Sequence, residues 1–224
     1  MSRFSIRPVP AFTPYAIVSV VYVVALATDL TALAGVVKWF LIPALILAVV
    51  LLVLGAGTRQ VPTWPTISLL GGGLMLSWLG DITFANFVAG LAFFLAAQLC
   101  YTALFWVGFH RRVSWWGLLA IPWFAGFLAV LWPYLGHLLP AVVVYGLVLG
   151  VMAVSSSRGN RFTVLGGLFF VASDSLLAVQ LFTPALQGGP ASALIMTLYV
   201  LAQGSIVGGT LLFGRQPAPE SATA

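Results

Sequence analysis

Residues Gly71–Asp81 read GGGLMLSWLGD, an apolar run of helical character that ends on a carboxylate. A second run of the same kind, GGLFFVASD, covers Gly166–Asp174. The chain has four acidic residues, and two of them close these two segments. A charged side chain inside a bilayer costs about 2.5–3.5 kcal/mol on insertion scales, so it is rarely there without a use. The pair therefore fixes where a site is sought.

Around these segments the composition is that of a membrane protein. The 224 residues are 62% hydrophobic and 6% charged, with mean hydropathy +1.12, which excludes a soluble domain. A spanning helix needs about 20 mostly apolar residues. Eight stretches qualify: 12–29, 36–55, 65–82, 86–108, 114–132, 138–155, 162–182 and 191–213. Breaker-rich loops separate them, among them GAGTRQVPTWP, SSSRGNR and TPALQGGP. The expected fold is an all-α polytopic bundle of eight transmembrane helices, with residues 1–213 as one membrane domain. Residues 214–224 are polar, Pro- and Ala-rich, and read as a disordered cytoplasmic tail. The first apolar run has no small-residue cleavage site and reads as a retained span.

The net charge of +5 is spread singly or in pairs through short loops, a pattern of membrane orientation and not of nucleic-acid binding. With the N-terminus in the cytoplasm, Arg3, Arg7, Arg59, Arg111, Arg112, Arg158, Arg161 and Arg215 all fall inside and only Lys38 falls outside. This positive-inside bias predicts an even number of spans with both termini cytoplasmic. Cys100 is the only cysteine, so neither a disulfide within the chain nor a thiolate-rich metal site is available.

In that topology the rare polar residues gather in the outer half of the bundle. Asp81 ends the third span, one helical turn beyond Ser77 and on the same face. Asp174 lies deep in the seventh span, between Ser173 and Ser175. Lys38 opens the second span and Tyr145 sits in the outer half of the sixth. Gln98 and Tyr101 share a face of the fourth, and Tyr199 and Gln203 share one of the eighth. Each has a structural reading beside the functional one: Asp81 as a helix-end cap, Asp174 and the amides as interhelical hydrogen bonds, Lys38 as a headgroup anchor. Two carboxyls in different environments can stand as one protonated acid and one ionised base. The positions suggest a pocket open outward or sideways into the outer leaflet.

An internal repeat is also suggested. LIPAL (41–45) pairs with LLPAV (138–142), GGLMLSWLGD with GGLFFVASD, and LAAQL (95–99) with VLAQG (200–204), in the same order. Four spans per copy would make the copies parallel, each giving one carboxylate and one Gln near the axis.

Several chemistries are absent. The chain has no G-x-S-x-G elbow and no HExxH. His110 and His137 fall on opposite sides of the bilayer, so they cannot share a metal. No metal or other cofactor is expected, and paired carboxylates remain.

The motifs resemble the lysoplasmalogenase (YhhN-like) family of integral membrane proteins. The matching pieces are K-x4-P at Lys38–Pro43, GLMLSWLGD followed by FVAGLAFFLAAQLCYTALF, then YGLVLGVMAV, GGLFFVASDSLLA and TLYVLAQGSIVGG. The resemblance implies a multi-pass hydrolase of the cell membrane that cleaves the vinyl ether bond of lysoplasmalogens. Its products are a fatty aldehyde and glycerophosphoethanolamine or glycerophosphocholine. The family's proposed catalytic aspartates carry over onto Asp81 and Asp174. Where members often carry His before the L-C-Y of the fourth span, this chain has Gln98.

An enol ether hydrolyses by protonation at carbon, which makes an oxocarbenium-like cation that water captures, a task for two carboxyls. Asp174 is expected as the acid and Asp81 as the base. Lys38, Ser77, Gln98, Tyr101, Tyr145, Ser173, Tyr199 and Gln203 are the expected contacts to a lysophospholipid substrate. The competing readings are a small lipid-binding or transporter-like membrane protein, and a hydrolase of another ether lipid or lysolipid.

Overall fold

A computed structural model of the chain describes residues 8–55 and 62–212. Among the described residues it is all-α, with no strand. The helices are α1 (Pro8–Ala27), α2 (Thr31–Leu54), α3 (Trp64–Thr83), α4 (Phe87–Gly108), α5 (Ala120–Leu135), α6 (Leu139–Ser155), α7 (Arg161–Phe182) and α8 (Gly189–Leu211). Arg3, Arg7, Arg59, Arg215 and the expected tail lie outside the described residues.

Local chemistry places the helix starts. Pro stands in the first turn of α3, α6 and α8, where its missing N–H removes no helical bond. Asn86 caps α4 by accepting from the Ala89 amide. Asn160 and Thr163 form a capping box at α7. The expected fifth span divides, with a 3-10 turn at Trp115–Leu119 before α5. The second begins five residues earlier than expected, because Thr31–Gly35 continue the helix.

Among the described residues six stretches are long and apolar enough to cross a membrane. One of them, Trp115–Arg158, contains both α5 and α6. The Gly71–Asp81 helix, α3, is not among the six: four glycines, two tryptophans and Asp81 lower its hydropathy. Apolar side chains such as Val20, Phe40, Leu54, Val130, Leu147 and Leu168 are exposed around the bundle. A water-exposed surface of this kind would aggregate, whereas a lipid-facing one is stable. The chain is an integral membrane protein.

Glycines set the closest helix pairs. Gly73 and Gly80, two turns apart on α3, receive Tyr101 and Phe94 of α4. A methyl on Gly80 would stand 2.8 Å from Phe94 Cδ2. At the α7–α8 seam Gly166 receives Ile206, and a methyl there would stand 2.7 Å from its Cγ1 and 3.1 Å from the Ala202 carbonyl oxygen. Small residues let membrane helices meet at backbone distance, where dispersion contacts hold them. At the arginine-bearing end, Arg158 donates to the carbonyls of Phe105 and Phe109 at 3.3 and 3.0 Å, satisfying the last turn of α4.

Candidate active site

The site lies at the other end of the bundle, among the last turns of α1, α3 and α7 and the first half of α2, α4, α6 and α8. Its first device is a proline. Pro43 inside α2 has no N–H, so the Trp39 carbonyl four residues back loses its helical partner. The Trp78 indole N–H of α3 takes that carbonyl at 3.0 Å, and the two indoles meet edge to face. The bond ties α2 to α3 one residue after Lys38 and three before Asp81. Lys38 Nζ then lies 3.6 Å from Asp81 Oδ1. Trp78→Phe keeps an aromatic ring, though a smaller one, and removes the donor. It is expected to destabilise the protein by about 1 kcal/mol, read as a lower Tm in detergent. An unchanged Tm would mean that the carbonyl does not depend on Trp78.

Asp81 is buried and has a second partner, the Tyr199 hydroxyl of α8, which donates to Oδ2 at 2.9 Å. Asp174 lies eight residues before the end of α7 and accepts from the Tyr145 hydroxyl of α6. Among the described residues Asp174 has no ion-pair partner. The two carboxylates differ accordingly: Asp81 stands against an ammonium and a phenol, Asp174 against a phenol alone.

One cavity of about 260 Å³ joins them. Its lining includes Lys38, Asp81, Tyr145, Ser173, Asp174 and Tyr199. Apart from Gln180 and Ser192, which are hydrogen-bonded to each other at 3.0 Å, the remaining wall is apolar and aromatic, chiefly Phe84, Phe87, Leu91 and Phe94 on one side and Leu177 and Phe182 on the other. The Phe87 and Phe182 rings meet edge to face with centroids 5.6 Å apart. The Ser173 hydroxyl is engaged with the Ile195 carbonyl at 3.0 Å.

Thus six of the expected site residues come to one cavity and four do not. Ser77, Gln98, Tyr101 and Gln203 are fully buried in the core and do not line it. Tyr101 donates to Gln203 Oε1 at 2.7 Å. The Gln98 amide and the Ser77 hydroxyl have no hydrogen-bond partner among the described residues.

The chain contains in residues 33–210 the sequence pattern that defines the YhhN family. It belongs to that family. The family is linked to lysoplasmalogenase activity, and the matched span includes both motif aspartates and Lys38. No curated protein and no solved structure matches the chain.

In this YhhN family chain, sequence reasoning passed over Tyr22, which is buried and lines the cavity from α1. The signal was present: Ala11, Tyr15, Ser19, Tyr22 and Ala25 recur at helical spacing and form the buried face of α1. Among the described residues no three His, Cys, Asp or Glu side chains gather where they could hold a metal.

Proposed function

We propose that this family member is a hydrolase that cleaves the vinyl ether bond of lysoplasmalogens. The products are a fatty aldehyde and glycerophosphoethanolamine or glycerophosphocholine. The observation that carries the reading is that Asp81 and Asp174 line one cavity whose wall is mostly apolar and aromatic.

The reaction needs one acid and one base. Asp174, as the protonated acid, gives its proton to the outer carbon of the enol ether. The double-bond electrons form that C–H bond and leave an oxocarbenium-like cation. Asp81, ionised beside Lys38, stabilises the cation and takes a proton from the water that adds to it. The hemiacetal then collapses. Its hydroxyl proton returns to Asp174, the C–O bond to glycerol breaks, and the glycerol oxygen takes the proton held by Asp81. Both carboxyls end as they began. Lys38 and Tyr199 hold Asp81 in place, Tyr145 orients Asp174, and the Lys38 ammonium at the cavity rim also attracts the headgroup phosphate.

The wider arrangement fits an eight-span protein of the cell membrane, with α3 crossing beside α4. Arg111, Arg112, Arg158 and Arg161 all lie at the end opposite the cavity, so the positive-inside rule puts that end and both termini in the cytoplasm. The cavity then faces the outer leaflet. A 4+4 parallel repeat is supported by equivalent seams: Gly73 receives Tyr101 as Gly166 receives Ile206, and each seam is followed by its motif aspartate.

The test is turnover by purified protein in detergent with a lysoplasmalogen, read as released aldehyde. Aldehyde formation above the rate without protein is expected. Lipid binding without release would favour the lipid-binding reading. Release only from another ether lipid or lysolipid would keep the hydrolase and change its substrate.

A further inference from the structure

A second, smaller cavity of about 50 Å³ lies behind the first, between α5, α6 and α7. The two share four lining residues: Val142, Tyr145, Asp174 and Ala178. Beyond these the second cavity is lined by Trp123, Phe124, Phe127, Leu128 and Leu131 of α5 with Gly146 and Leu149 of α6. Ser175 is its one further polar neighbour, and that hydroxyl is engaged with the Val171 carbonyl. Asp174 and Tyr145 therefore stand between a cavity that holds Lys38 and Asp81 and one that holds neither.

We infer that the second cavity receives the hydrocarbon chain of the substrate where it leaves the vinyl ether. This rests on the reading of the site as a vinyl ether hydrolase. The chemistry fixes the order of groups along the substrate. The phosphate and glycerol precede the ether oxygen, the carbon that water attacks comes next, and the carbon that is protonated lies one further along the chain. With the phosphate at Lys38 and the attacked carbon at Asp81, the protonated carbon falls at Asp174. The rest of the chain must then run past Asp174, away from Lys38, and the space on that side is the second cavity.

Volume supports the same path. Sites that enclose a drug-sized ligand measure about 300–1,000 Å³, so the 260 Å³ cavity cannot enclose a whole single-chain phospholipid. The chain has to leave it. The second cavity takes its first carbons between Phe124, Phe127 and Leu128, and exposed Ile121, Trp132 and Val130 border that face of α5 on its two sides, where the helix adjoins lipid. Gly146 contributes room, since a methyl there would collide with the Phe124 ring.

The direct test is photolabelling with a saturated single-chain ether phospholipid that carries a diazirine in its chain, followed by peptide mapping. The expected label falls on Trp123–Leu131 of α5. A label confined to Phe87–Phe94 of α4 would overturn the proposal. The probe is not hydrolysed, so the result is independent of turnover: labelled α5 without any aldehyde release from the natural substrate would sink the hydrolase reading and not the chain path. Leu128→Trp adds a kinetic check. It is expected to raise KM for a long-chain lysoplasmalogen about tenfold and to leave a short-chain one unchanged. Equal effects on both lengths, or none on either, would overturn it.

Discussion

Asp174→Asn is expected to lower kcat for aldehyde release by about 10²–10⁴-fold with little change in KM. That is about 3–5 kcal/mol of transition-state stabilisation. The substitution is nearly isosteric. Its amide oxygen can still accept from Tyr145, so packing at the shared wall of the two cavities is retained. What disappears is the transferable proton. The other proton-bearing side chains among the described residues that line this cavity, the phenols of Tyr22, Tyr145 and Tyr199 and the Lys38 ammonium, belong to types far less acidic than a carboxyl. The measurement is steady-state aldehyde release by detergent-purified variant and wild type, with Tm compared in parallel. Full activity at unchanged Tm would remove Asp174 from the chemistry.

Asp81→Asn is expected to abolish turnover to a similar degree and to weaken the fold as well. Here the side chain has two duties. As a base it takes a proton from water, which an amide cannot do. As a counter-ion it faces Lys38 at 3.6 Å, and the variant leaves that ammonium without a carboxylate. Breaking a buried pair costs about 3–5 kcal/mol, and Lys38, with 28% of its side chain exposed, recovers part of this by hydration. A destabilisation of about 1–3 kcal/mol is the expected outcome. Adding Lys38→Gln to Asp81→Asn should restore Tm and not activity. Activity retained in Asp81→Asn would end the two-carboxylate mechanism. Tm unaffected by the single variant would show that the ion pair contributes nothing to the fold.

The cavity was legible in outline. Asp81, Asp174 and Lys38 were exposed by rarity, because so few charges occur in a chain of this hydropathy. Tyr145 and Tyr199 followed from depth, and Ser173 from its place beside Asp174. The same depth argument also selected Gln98, Tyr101 and Gln203, and a shared helical face with Asp81 selected Ser77, and these four turn into the core instead. Depth along a helix comes from counting residues, whereas the direction a side chain faces comes from rotation about the helix axis. In soluble helices one apolar stripe fixes that rotation. Here apolar residues lie all round, so periodicity leaves it open. It is fixed by contacts such as Tyr101 on Gly73 and Phe94 on Gly80, which turn Tyr101 inward.

The sequence by itself determined that this is a helical membrane protein, where most of its helices lie, and that two carboxylates of equivalent motifs are its unusual groups. These follow from the cost of charge in hydrocarbon and from the length needed to cross it. Only the tertiary structure decided that Lys38 neutralises Asp81, that Tyr145 sits on Asp174, and that a second cavity opens behind Asp174 toward α5. Those partners stand 43 residues apart for Lys38 and Asp81 and 29 for Tyr145 and Asp174. Their meeting depends on which helices pack together and at what rotation, and small-residue contacts and one proline-freed carbonyl settle that.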